Sequence, residues 1–475
     1  MIGRLWKRFL NSMEPLNLLE IAKAVKGKFF STPPHGEEGA SHLLIRRVVI
    51  DSRVVSQGDL FIAFSGEKTD GHLHIEDAFK RGAVACLITR PVTETKGGPL
   101  ILVENAERAL MRLASWYRLS ITAPVIAITG SSGKTTAKEM TAHLLSLHHP
   151  VLKAPESYNN EIGVPLTVLA WEPSQQAVVL EMAMRGKGQI KVLCDIASPT
   201  VGMITSIGEA HIGLLGSIKD IADAKGELLE SLPLDGLAFL NGEDSWTDYL
   251  RKKASCPVRT YGFDSSQWIH AENIRETWEG THGLLVTPFG NQEIFVPLLG
   301  RHNLLNFLGA TAIALSFQVS LEEIAQGALS CHAPHGRLEQ RKRDDGVRVL
   351  DDSYNANPAS LLAAMRTVAV LPTEGRRILV LGDMLELGDA GRKAHEDVVQ
   401  QMLDQRFDAL FAMGELARQT VDEAQKAKLR VAKHFDTHQE LLGELNHFVK
   451  PHDVVLVKGS RKMGMERISK GLLKT

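Results

Sequence analysis

The chain has few of the features that mark a specialised class. It carries only 4 cysteines in 475 residues, and Cys86, Cys194, Cys256 and Cys331 are far apart with no CxxC pair. That argues against a disulfide framework and against a zinc ribbon. An excess of one charge is also missing: 54 basic against 56 acidic residues leave a formal net charge of −2. No global field favours nucleic acid, so any basic site must be a local pocket. No apolar run approaches the roughly 18–20 residues of a membrane span. The basic start, MIGRLWKRFLN, has too short an apolar stretch for a signal peptide. Internal repeats and low-complexity tracts are absent. With 44% hydrophobic and 23% charged residues, the composition is that of an ordinary cytoplasmic globular enzyme, and the length suggests about three domains.

What is present is alternation of strands and helices. In the first stretch, Arg47–Ile50 and Leu60–Phe64 read as strands, Ile75–Arg81 as a helix and Ala83–Ile88 as a further strand. Ala106–Leu119 has apolar residues at helical spacing, and the Ile121-Thr122-Ala123-Pro124 break after it places a first domain at 1–122. The middle section, 123–332, has strands at Val125–Ile128, Ala177–Leu180, Val201–Thr205 and Leu237–Leu240. Its helices fall around Ile218–Leu229, Ser245–Lys253, Leu304–Ser316 and Leu321–Ser330. The Pro- and Gly-bearing segment Cys331–Gly336 reads as a linker. The last section, 333–475, alternates strands (Arg348–Leu350, Ile378–Leu381, Ala409–Met413, Asp453–Val457) with helices (Pro358–Val370, Lys393–Leu403, Glu415–Lys426, Gln439–Val449). Such alternation predicts a parallel, doubly wound sheet. No GxGxxG follows any of these strands, which argues against a nicotinamide dehydrogenase.

One motif carries clear chemistry. Strand Val125–Ile128 runs into Thr129-Gly130-Ser131-Ser132-Gly133-Lys134-Thr135-Thr136, with a helix after it. Glycines let backbone N–H groups approach an anion, and the helix N-terminus adds its positive end. Lys134 would neutralise the β and γ phosphates of a nucleotide, and the Thr135 hydroxyl would sit on Mg²⁺. The full GxxxxGK[ST] pattern asks for glycine at position 128, where this chain has Ile128. Three further residues share the domain: Glu181 at a strand end, His211 in SIGEAHIG, and Lys225 in ADAKGELLE. Taken singly each has a plain reading, as a solvated cap, a structural histidine and a surface lysine. A strand-end carboxylate beside a phosphate loop can also ligate Mg²⁺.

The order of these segments resembles the ATP-dependent Mur ligases, amide-forming enzymes of peptidoglycan precursor synthesis. The matching residues are ITGSSGKTT, Asn159-Asn160-Glu161 before Gly163-Val164-Pro165, Glu181, AHIGLLGS around His211 and AKGELL around Lys225. GRHNLLN (Gly300–Asn306), GRLE (Gly336–Glu339) and DDSYNANP (Asp351–Pro358) follow. Within the family, VIDSR…GDLFIAFSGEKTDGH resembles a uridine-diphosphate-binding domain. DDSYNANP, LGDMLELG (Leu381–Gly388) and LVKGSRKMGME (Leu456–Glu466) resemble the members that add D-alanyl-D-alanine to a UDP-linked muramoyl-tripeptide. The resemblance implies a mixed α/β UDP-binding domain, a central ATPase-like phosphate-loop domain and a C-terminal Rossmann-like domain.

It also implies roles. ATP would be held by Thr129–Thr136 of the loop, by Asn303 and Asn306 on the adenine side, by Arg337, and by Asp352 accepting ribose hydroxyls. Two Mg²⁺ ions would be served by Thr135, Glu181, His211 and a Lys225 carbamylated by CO₂, which turns a repelling cation into an oxygen ligand. Lys134, Lys225, His211 and Glu181 would form the catalytic set. Ser52 and Arg53 would contact the uridine diphosphate, and Tyr354, Asn355 and Asn357 the acceptor dipeptide. A monomer is expected. The competing readings are another Mur-type or folylpolyglutamate-synthase-like ligase, and a phosphate-loop regulatory module without ligation. The folylpolyglutamate-type ligase would not need the N-terminal DSR segment; Glu181, His211 and Lys225 together speak against the regulatory module.

Overall fold

The computed structural model describes residues 13–31, 36–66, 69–92, 97–156 and 158–474. The MIGRLWKRFLN stretch and residues 67 and 68 of the SGEKTDGH segment lie outside the described residues. Three large α/β sheets follow one another along the chain, with one small two-stranded pairing near the start.

The first large sheet has five strands in the order Lys28–Ser31, Leu100–Leu102, Ala83–Ile88, Asp59–Ile62, Arg47–Val49. All are parallel except the Lys28–Ser31 edge. Its closing helix, Ala106–Arg118, does not stay within this unit. Tyr117 Oη donates to the Trp171 carbonyl at 2.9 Å, and Arg118 reaches the Ala197 and Ser198 carbonyls at 2.6 and 3.0 Å. Leu110, Leu113 and Tyr117 belong to one continuous core with Val164, Leu193 and Leu228 of the next unit.

The central sheet has nine strands, ordered Gly290–Val296, Gly280–Thr287, Ile269–Thr277, Val258–Gly262, Leu237–Asn241, Val201–Ile204, Val125–Thr129, Ala177–Glu181, Val151–Lys153. The seven from Ile269–Thr277 onward are mutually parallel. The inner strands Val125–Thr129 and Ala177–Glu181 are buried at every position, which explains their unbroken Val/Ile/Ala runs: helices cover both faces of a parallel sheet. The region 258–296, left unassigned from the sequence, forms one more parallel strand and an antiparallel meander of three. Predicted helix ends move by a few residues: Ser245–Lys253 shortens to Thr247–Arg251, and Lys393–Leu403 lengthens to Ala390–Asp404.

The last sheet is ordered Glu339–Lys342, Arg348–Asp352, Val454–Lys458, Arg377–Gly382, Ala409–Met413, Val431–Phe435, parallel apart from its first strand. The final strand in sequence inserts between two earlier ones, so strand order reverses beside Asp352 and Lys458. Ligand crevices of doubly wound sheets form outside the strand C-termini at such points.

Candidate active site between two sheets

The C-terminal ends of the central and last sheets face each other across a cleft of about 840 Å³. On the central side the phosphate loop leaves strand Val125–Thr129 and enters helix Lys134–Ser146 through Gly133, the N-cap residue at φ 84°. Gly130 sits at φ 152°. A Cβ there would run into Thr205 Oγ1, and one on Gly133 into Asn306 Oδ1. Only glycine lets the loop take this path. Neighbouring strand ends clamp it: Thr205 Oγ1 donates to Ser132 O at 2.5 Å, Ser206 Oγ accepts from Ser132 N at 3.0 Å, and Ser131 N donates to Ser206 O at 2.8 Å. Thr129 is a buried support behind the loop, whereas Ser131, Ser132, Gly133, Lys134, Thr135 and Thr136 line the cleft.

Lys134 folds over its own loop, donating to Gly130 O at 2.7 Å. Burial lowers its pKa, Glu181 opposes that shift and Arg337 adds to it. Glu181 is buried at the end of strand Ala177–Glu181; Asn159 Nδ2 donates to its Oε1 at 2.8 Å, while Oε2 has no partner. A buried carboxylate oxygen left unpaired is costly, and a cation is the natural occupant of the space it faces. Lys225 lies on helix Ile218–Glu230 at 1% exposure. The reading of Lys225 as a solvated surface lysine is therefore excluded. Burial, reinforced by Lys134, holds its amine well below the usual lysine range.

His211 takes the left-handed conformation, φ 67°, before the short helix Ile212–Leu215. Its Nδ1 lies 2.8 Å from Glu386 Oε2 of the last sheet's loop, close but not aligned as a hydrogen bond. Burial lowers the His211 pKa, Glu386 opposes this, and Lys134 and Lys225 push it down further. Among the described residues no three His, Cys, Asp or Glu side chains converge as a ready-made metal cage. Mg²⁺ in phosphoryl-transfer sites takes one or two carboxylates and fills its shell with phosphate oxygens and water. Glu181 with the Thr135 hydroxyl fits that donor set.

The facing side comes from the linker and the last sheet. Arg337 Nη2 donates to Thr135 Oγ1 at 2.9 Å, and its guanidinium stacks 4.2 Å from the Tyr354 ring centroid. Asn357 caps helix Pro358–Val370 and also reaches Ser132 Oγ at 3.4 Å. Asn303 donates to Leu299 O at 2.9 Å, and Asn306 lies against the phosphate loop. Asp352 is in the cleft, but both its oxygens are engaged: Oδ1 accepts from Leu338 N at 3.0 Å and Oδ2 pairs with Lys458 Nζ at 2.5 Å. A ribose would have to share them. Lys458 also donates to Asn355 O at 3.0 Å.

Ser52 and Arg53 do not reach this cleft. They follow strand Arg47–Val49 on the first sheet, where Arg53 is largely exposed and pairs with Asp51 at 2.6 Å. The structure adds residues that sequence reading gave no role: Thr205 and Ser206 as the loop clamp, His302, Glu386, Lys458 and Arg461. Lys458 and Arg461 fall in the LVKGSRKMGME segment, Glu386 in LGDMLELG, His302 in GRHNLLN and Ser206 in SIGEAHIG, so their segments were marked although their roles were not; Thr205 carried no signal beyond ending a strand.

Comparison with known proteins follows the same three-part division. Residues 44–118 match "Mur ligase family, catalytic domain", 128–314 "Mur ligase middle domain" and 336–461 "Mur ligase, glutamate ligase domain". The chain is 36% identical over 458 residues to the UDP-N-acetylmuramoyl-tripeptide--D-alanyl-D-alanine ligase of Bacillus subtilis, covering 96% of this chain and 98% of that protein. A crystal structure of MurF from Acinetobacter baumannii superposes with a TM-score of 0.88 at 30% identity, covering 98% of this chain and 100% of the other. MurF ligase from Thermotoga maritima in complex with ADP gives 0.80 at 26% identity, covering 91% and 98%. The chain belongs to the Mur ligase family.

Proposed function

We propose that this chain uses ATP to join D-alanyl-D-alanine to UDP-N-acetylmuramoyl-tripeptide, forming the pentapeptide precursor of peptidoglycan, in the cytoplasm and as a monomer. In this reading residues 1–122 bind the UDP end, 123–332 bind ATP and 333–475 bind the acceptor. The observation that carries it is the cleft itself, where a phosphate loop on one sheet faces a second sheet's strand ends. Relatives bearing this activity in their names align over nearly the whole chain. That whole-length match, which includes the DSR segment, disfavours the folylpolyglutamate-type alternative.

A carboxylate does not form an amide unaided, because its oxygen is a poor leaving group. Transfer of the ATP γ-phosphoryl to the tripeptide carboxylate gives an acyl phosphate. The dipeptide amine attacks its carbonyl carbon, and phosphate leaves. Two anions must first approach one another. Lys134 and the loop N–H groups offset that repulsion, and Arg337 stands ready to release Thr135 and turn toward phosphate. Thr135 and Glu181 would hold Mg²⁺, with His211 and Lys225 nearby, and the ion would supply further neutralisation of the triphosphate. The buried Lys225 amine is held toward its neutral form, and a neutral amine is what adds to the carbon of CO₂, losing a proton to give a carbamate. That turns a neutral amine into an anion with two oxygen donors suited to a hard cation. Tyr354, Asn355 and Asn357 line the side from which the amine would come.

Phosphate release from ATP should require the UDP-tripeptide and D-alanyl-D-alanine together, and should stop when either is omitted. Release with the dipeptide absent, or with glutamate replacing it, would falsify the assignment. In the same assay Lys225→Ala should lose about 10²–10³ in rate and recover part of it with formate or acetate. Lys225→Arg, which keeps the charge and fills the space, should not recover.

A further inference from the structure

The meander of the central sheet makes a contact the reaction does not use. Strands Ile269–Thr277 and Gly280–Thr287 join through a two-residue turn, Trp278-Glu279. A large aromatic at a hairpin tip is ordinarily exposed, yet Trp278 is half-buried and packs on the core of the last sheet. Its indole Nε1 donates to the Pro372 carbonyl at 2.7 Å. The Arg348 guanidinium lies 4.3 Å from its ring centroid. With its amide turned to suit its neighbours, Gln340 donates to the Trp278 carbonyl at 2.9 Å and accepts from Arg348 at 2.7 Å. Pro372 is itself on a tethered segment, since Arg377 donates to Ala369 O and Leu371 O at 3.2 and 3.4 Å.

The placement of these partners matters. Pro372 lies just beyond the end of helix Pro358–Val370, whose first turn sits over the phosphate loop through Asn357. Arg348 begins the strand that ends at Asp352 in the cleft. Thirteen helical residues at about 1.5 Å each put the two attachments about 20 Å apart. The C-terminal unit is therefore held at its far end by Trp278 and at its cleft end by the contacts of Asn357 with Ser132 and of Arg337 with Thr135.

We infer that Trp278 is a positioning residue: the hairpin tip is an anchor that docks the C-terminal unit on the central sheet at the end away from the cleft, and so sets how the two sides of the cleft face one another. A stacked cation and an indole hydrogen bond hold that anchor, and both are lost on truncation. Trp278→Ala should raise the population of undocked molecules roughly tenfold. Hydrogen exchange, which follows that population even when it is small, gives the readout on the ligand-free full chain. Residues 211–214 and 386–391, where the Gly213 and Gly388 backbones abut, should exchange roughly tenfold faster although they are distant from the mutation. Trp278→Phe, which keeps the ring and loses the hydrogen bond, should fall between. In turnover, KM for ATP and for the dipeptide should rise while kcat at saturation stays within about threefold. Faster exchange confined to the hairpin tip, unchanged exchange throughout, or a fall in kcat without a KM change each overturns the anchor. The exchange measurement needs no substrate, so its outcome is independent of the reaction assigned above.

Discussion

Single side chains in this molecule are governed by burial as much as by charge. His395 shows the effect away from the cleft. It is fully buried in helix Ala390–Asp404; its Nε2 accepts from Met384 N at 3.0 Å. Thr420 Oγ1 donates to the His395 carbonyl, so Nδ1 carries the ring proton and donates to Thr420 Oγ1 at 3.1 Å. The neutral ring thereby holds the loop that presents Glu386 to His211. Burial, only partly opposed by Asp383, lowers its pKa to about 4. An unfolded histidine titrates near 6.5, so between those values the unfolded chain binds a proton that the native chain refuses. Stability is complete above about pH 6.5 and falls as pH drops toward 4, by about 3 kcal/mol at the low end. Denaturant titrations at pH 7 and 4.5 should show this loss in the wild type and a flatter response in His395→Gln. Parallel losses in both proteins would remove His395 as the cause.

Among the elements, the phosphate loop was legible from the sequence because its chemistry is local. A strand, two glycines, a lysine and a helix occupy consecutive positions, and a non-glycine residue at position 128 changes nothing since Ile128 is still buried in the strand. Gly133 offers a direct test. At φ 84° a Cβ costs about 1–2 kcal/mol, and here it would also strike Asn306. Gly188 has the same φ of 84° with open space where its Cβ would go. Gly133→Ala should weaken ADP binding measurably by calorimetry, whereas Gly188→Ala should cost stability alone. Equal ADP affinity in the two variants would mean that the loop does not cradle phosphate. The meander, in contrast, was invisible. Its turns are Trp278-Glu279 and Pro288-Phe289 rather than Asn-Gly or Asp-Gly. A register break between Glu272 and Arg275 interrupts its alternation. Strand Val431–Phe435 escaped for a related reason: as a sheet edge, none of its residues is fully buried, so no apolar run marks it.

For the whole molecule, the separation of the DSR turn from the nucleotide cleft has a measurable consequence. Arg53 stands on the first sheet and the phosphate loop on the second. Arg53→Ala should raise KM for the UDP-linked substrate roughly 10- to 100-fold, the range for losing a charged hydrogen bond, and leave ADP affinity unchanged. Equal losses for both ligands would contradict the division of labour between the units.

The sequence by itself determined the three α/β units, the anion loop and the order of the chemistry-bearing segments, because propensity, hydrophobic period and glycine geometry act over a few residues. The pairing of charges was decided only by the tertiary structure. Asp352 meets Lys458 across 106 positions because two strands become neighbours in register. Glu386 meets His211, and Arg337 meets Thr135, because two sheets present their C-terminal ends to one cleft. Lys225 looked like a surface lysine until helix Ile218–Glu230 packed it inside. Electrostatic energies depend on distance through space and on the water excluded around each group, and neither quantity is written along the chain.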